Sequence, residues 1–121
     1  MDAEAGGAHG RIDTHAHFLP DAYADALSRS GLTRLDGGFP VPAWSAAAAL
    51  EMMDRQGIAT AMVSLSSPSS HFLAPTERPD LVRRVNDAGA ELVRSRPGRF
   101  GYFASLPTPG FGWPRFSVFT R

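Results

Sequence analysis

The chain has 121 residues, 12 acidic side chains balanced by 12 basic ones that are all arginine, and no cysteine. Zero net charge removes the broad basic field that nucleic acid or anionic lipid would require. The missing cysteines remove disulfides, a thiolate nucleophile and any Cys-ligated zinc or iron–sulfur site. At 43% hydrophobic and 20% charged residues, one soluble domain with a core is expected, cytoplasmic because no apolar leader or membrane span is present.

Residues 1–9 are small and aperiodic and read as a flexible N-terminus. Arg11 to His17 is a short strand of mixed polarity. Pro20 opens a helix over Asp21 to Ser30, with Ala22, Tyr23, Ala26 and Leu27 at helical spacing and Gly31 as its stop. The Gly/Pro-rich stretch 32–43 is a loop. Ser45 N-caps a clearer helix that ends at Gln56, with Ala46, Ala49, Leu50 and Met53 as its apolar stripe and Gly57 as its C-cap. Ile58 to Leu65 is an apolar run of strand length, as expected of a strand covered on both faces. A Ser/Pro loop follows over 66–76. Pro79 starts the longest helix, which stops near Arg96. It turns Leu81, Val82, Val85, Ala88, Gly89, Leu92 and Val93 inward, and Arg83, Arg84, Asp87, Glu91 and Arg94 towards water. Arg99 to Leu106 reads as a third strand, and the residues from Phe111 onward show no period.

This order of strand, helix, strand, helix, strand implies βαβ units with parallel pairing and right-handed crossovers. Three strands cannot close a sheet, so either its edges stay exposed or the chain is part of something larger.

His15 and His17 are the sharpest chemical feature. Residues two apart in a strand project to one face, so both imidazoles can approach one cation, and imidazole is the usual neutral ligand for zinc and its neighbours. Asp13 has the same parity and could orient an imidazole from behind. A pair this close also arises by chance in a chain with four histidines, and a complete site takes three or four protein ligands. Weaker candidates for substrate contact are His71, Trp44 and Arg34, the last through its bidentate fork. Their plain alternatives are a solvated loop histidine, a packing residue and a solvated loop arginine. His9 is terminal. Ser66 to Ser70 lacks the turn and paired base of a serine nucleophile, and neither Gly-Gly pair has the setting of a phosphate loop.

The stretch Arg11-Ile12-Asp13-Thr14-His15-Ala16-His17-Phe18-Leu19-Pro20 resembles the opening strand of the amidohydrolase-related (amidohydrolase family 2) metalloenzymes, with its Asp-x-His-x-His signature followed by Pro. Similar segments follow in the same order. They are Pro42-Ala43-Trp44-Ser45, Met53-Asp54-Arg55-Gln56-Gly57-Ile58, Val63-Ser64-Leu65-Ser66-Ser67-Pro68, Arg84-Val85-Asn86-Asp87 and the run from Pro97-Gly98-Arg99 to Leu106-Pro107. The branch it resembles most is that of aminocarboxymuconate-semialdehyde decarboxylase. The resemblance spans 10–109 and implies an α/β fold made of the first three βα units of a (β/α)₈ barrel. It implies a divalent metal, zinc by preference, with His15 and His17 as the matching ligands. The family's further His and Asp ligands have no counterpart here, and the catalytic residues stay unassigned. A whole barrel takes about 200–250 residues, so the chain reads as an N-terminal fragment with an atypical tail at 110–121, from a truncated or frame-shifted gene or an incomplete record.

The resemblance implies a carboxy-lyase acting on a small unsaturated or aromatic carboxylic acid. One alternative is a metal-dependent hydrolase of an ester, lactone or amide, which would use the same two ligands. Another is a non-catalytic remnant, since two imidazoles leave an ion mostly hydrated. A third is a binding module that uses an uncovered sheet edge and forms a dimer. Neither nucleic acid nor membrane is expected as a partner, and homo-oligomers stay open for full-length relatives.

Overall fold

The computed structural model describes residues 10–107; the expected flexible N-terminus at 1–9 and atypical tail at 110–121 lie outside them. The elements are β1 (Arg11–Phe18), α1 (Asp21–Arg29), α2 (Ala46–Gln56), β2 (Ile58–Leu65), α3 (Arg78–Ser95) and β3 (Phe100–Tyr102). The fold is α/β, with a three-stranded parallel sheet in the order β1-β2-β3.

Local chemistry explains most boundaries. The Ser45 hydroxyl accepts the Ala48 N–H at 3.1 Å and caps α2, and Gly57 ends it at φ 67°, where a side chain would be strained. α1 starts at Pro20, whose carbonyl accepts the N–H groups of Tyr23 and Ala24.

The core lies between the helices and one face of the sheet. Phe18, Ala61, Val63 and Phe100 pack there with Tyr23, Leu27, Met53, Leu81, Val85 and Leu92. Cover along β2 is uneven between its faces: Ala61 and Val63 are buried, while Thr60, Met62 and Ser64 on the other face are half-buried, and no residue of the strand is exposed. The described residues close one side of this strand, and its uncharged sequence reflects small and apolar residues on the other. α3 approaches β3 closely because Gly89 has no side chain. A Cβ there would come within 2.6–2.9 Å of the Tyr102 ring.

The third strand is shorter than its apolar pattern predicts. β3 pairs with β2 only over Phe100–Tyr102, and one further bond runs from the Phe103 N–H to the Val63 carbonyl. Beyond that, Asn86 of α3 replaces the ladder. Its amide nitrogen donates to the Ser105 carbonyl at 3.0 Å and its oxygen accepts the Ser105 N–H at 2.9 Å.

Candidate metal centre

β1 carries both predicted imidazoles. His15 and His17 are exposed, with ring centroids 5.1 Å apart and planes at 86°. The His17 Nδ1 lies 3.3 Å from the Ser64 carbonyl and 3.2 Å from its hydroxyl. In the tautomer whose Nδ1–H donates to that carbonyl, Nε2 is the basic nitrogen, the arrangement a metal-binding histidine needs. Ser64 itself is held by a bond from its hydroxyl to the Ala16 carbonyl. No property of the sequence singled out Ser64; only the strand register brings it beside His17.

Asp13 behaves differently from its parity. The register between β1 and β2 shifts between Asp13 and Ala16, so that Asp13 stands beside buried Ala61 while His17 stands beside Ser64. Strict alternation therefore fails between Asp13 and the histidines. The Asp13 carboxylate accepts the backbone N–H of His15 at 3.0 Å. This is the local bond an aspartate makes two residues on, and it supports the bulged backbone rather than an imidazole.

A cavity of about 420 Å³ adjoins the pair. Asp13, His15, His17 and Trp44 line it, with Met52 and Met53 of α2 among its apolar wall. Trp44 also packs edge-on against Phe18 at 6.0 Å, so it serves as wall and core contact together. The other two candidates are elsewhere. Arg34 spends its guanidinium on the Gly38 carbonyl within its own loop. His71 is exposed in the loop after β2, its backbone bonded to Pro68 and Arg78. Among the described residues, no group of three or more His, Cys, Asp or Glu gathers where it could hold an ion. The donors present therefore fit a divalent cation as two ligands of a larger set.

Two polar side chains are buried near this end of β2; the helical spacing places Tyr23 on the apolar stripe of α1, whereas nothing in the sequence marks Arg78. Arg78 is 7% exposed and donates to the Leu73 and His71 carbonyls. Tyr23 is fully buried, meets Phe72 at 6.0 Å and donates its hydroxyl to the Ser66 carbonyl at 3.3 Å. Burial is the main cause that pushes the Tyr23 phenol up to about 12 from 10.0; a backbone hydrogen bond at Ser69 opposes it and the Asp36 charge adds to it. The fold thus favours the protonated phenol. That stabilisation is complete below pH 10 and drains away between pH 10 and about 12. Urea unfolding across this window should show a loss of stability that Tyr23→Phe, which has no proton to lose, reduces. An equal loss in the variant would overturn this account.

With the geometry in place, the chain can be set beside known proteins. No family model matches it. It is 39% identical over 99 residues to a decarboxylase, yanB, of Aspergillus niger, covering 80% of this chain and 26% of that protein. A crystal structure of an amidohydrolase II superposes with a TM-score of 0.76 at 39% identity, over 83% of this chain and 32% of the other. The chain is homologous to part of the amidohydrolase-related decarboxylases. A further member, a dihydroxybenzoic acid decarboxylase from Polaromonas, was solved with bound manganese and the inhibitor 2-nitroresorcinol. It superposes with a TM-score of 0.59 at 27% identity, over 81% of this chain and 30% of its own. The chain spans about a quarter to a third of the length of the proteins it matches. No helix among the described residues is long and apolar enough to cross a membrane.

Proposed function

We propose that this chain is the metal-holding opening segment of a carboxy-lyase acting on a small aromatic carboxylic acid. In this reading its three strands form part of a (β/α)₈ barrel, and the protein works in the cytoplasm. The observation that carries the reading is the His15–His17 pair, side by side on β1, in a chain homologous to decarboxylases. A divalent ion, zinc or manganese, would supply Lewis-acid polarisation of a substrate oxygen. The chain's own part is to present two imidazoles, to set the His17 tautomer through Ser64, and to wall the adjoining cavity with Trp44 and Met52.

A chimera tests this. Residues 10–107, placed in the Polaromonas decarboxylase in place of its matching segment, should restore carbon dioxide release from dihydroxybenzoate. His17→Ala in that chimera should lower the rate by more than the roughly 10–100-fold that losing an outer-shell partner of a ligand costs. A folded chimera that retains its metal but releases no carbon dioxide would refute the decarboxylase reading. Release of acid from an ester or lactone instead would favour the hydrolase alternative. The two-donor count among the described residues favours a second reading for the chain alone, that of a non-catalytic remnant, which predicts no turnover without the partner segment.

A further inference from the structure

The loop between β2 and α3, residues 66–77, carries two local costs side by side. Ser69 holds φ at 55°, in the left-handed region that residues with a side chain rarely adopt. Ser70 is 0% exposed, and its hydroxyl has no hydrogen-bond partner among the described residues. Such a group forfeits the bonds that water would give it. Because the described residues cover Ser70 wholly, no group from outside the fold can reach that oxygen. The loop's backbone bonds close turns within it: Ser69 N–H to the Ser66 carbonyl, His71 to Pro68 and Leu73 to Ser70. Side chains tie it to the body. Tyr23 donates to the Ser66 carbonyl and packs on Phe72, and Arg78 donates to the His71 and Leu73 carbonyls. Ser69 and Ser70 lie between these two posts.

We propose that residues 66–77 form a strap with a second, lifted arrangement, in which Ser69 relaxes to an ordinary φ, the Ser70 hydroxyl meets water and exposed His71 travels with the loop. The resting arrangement persists because Tyr23 and Arg78 hold it at both ends, as strained residues persist only where their surroundings fix them. Lifting is a local opening of the kind that loops with few ties to the body undergo. The strap leaves β2 just past Ser64, the residue that holds His17, so lifting alters the cover at the rim of the candidate metal centre. That purpose rests on the metal reading above; the strap itself rests on its own atoms.

Amide hydrogen exchange of the full 121-residue chain, followed by NMR without metal, tests the strap. The Ser69, His71 and Leu73 amides should exchange well ahead of those in β2. Ser70→Ala deletes the unpaired hydroxyl and should slow their exchange about tenfold, the scale on which such a group burdens the resting state. Ser69→Gly suits the left-handed φ but also frees the lifted loop, so the slowing should be about threefold. Arg78→Lys should hasten exchange, and Ser67→Ala, at an exposed residue, should leave it unchanged. The chain has no cysteine, so Ser70→Cys adds one buried thiol, which should react with a thiol reagent at a rate that low urea barely changes. A reaction that rises with urea as steeply as global unfolding overturns the strap, as do loop amides that exchange only with global unfolding. Faster exchange in Ser70→Ala also overturns it, since the hydroxyl would then have a partner such as a buried water. No metal enters these measurements, so their failure leaves the metal reading standing, and a chain that binds no ion leaves the strap standing.

Discussion

Phe18→Ala should destabilise the protein by about 3–5 kcal/mol, the usual cost of deleting a buried phenyl ring. Phe18 is 2% exposed, sits in the central cluster and takes the edge of Trp44. It is also the last residue of β1, adjacent to His17, so the cavity left by its loss opens directly behind the imidazole pair. A domain of this size has about 5–15 kcal/mol of stability in all, so the variant should be partly unfolded near 37 °C. Urea unfolding followed by circular dichroism measures the effect, and Met52→Ala, at a residue 38% exposed, provides a mild comparison. A loss below about 1 kcal/mol would mean that Phe18 does not anchor the strand to the core.

The same residue shows how far the sequence could be read. β2 was legible end to end, Ile58–Leu65, because an apolar run between Gly57 and a Ser/Pro loop has both its limits written locally. The Ser45 cap and the Gly57 stop were legible for the same reason. The pairing of His15 with His17 followed from strand period alone, and their 5.1 Å approach is what that period dictates. What failed depended on contacts distant in sequence. Parity placed Asp13 with the histidines, and it does line their cavity, but its carboxylate goes to the His15 backbone N–H, because the register shift before Ala16 depends on how β2 lies alongside. The apolar residues from Phe103 to Leu106 looked like strand continuation. They are 53% and 76% exposed at those two ends, because the ladder is lost and Asn86 holds Ser105 in its place. Ser64 could not be recognised as a histidine partner, since nothing local distinguishes it from the serines that follow.

Arg78 is the strongest case of a role hidden from sequence, and its removal should cost about 3 kcal/mol. Between Glu77 and Pro79 at the start of α3, an arginine looks like a solvated residue, and a helix N-terminus disfavours positive charge. The side chain is nevertheless 7% exposed. The reason lies in the loop after β2, whose Leu73 and His71 carbonyls need donors that its own backbone does not supply. The planar guanidinium reaches both, from Nε at 2.9 Å and from a terminal nitrogen at 3.2 Å. Arg78→Ala strands these acceptors, and bonds to a charged donor contribute about 1.5–3 kcal/mol each. Arg78→Lys should recover less than half of the loss, because a single ammonium lacks the fork geometry that serves two separated carbonyls. Arg83→Ala, which removes only an exposed 3.7 Å pair with Asp80, should shift stability by less than about 0.5 kcal/mol. Limited proteolysis locates the effect: Arg78→Ala should open cleavage within 66–77 before the rest of the chain yields. If Arg78→Ala and Arg78→Lys unfold with the wild-type midpoint, the guanidinium does not hold this loop.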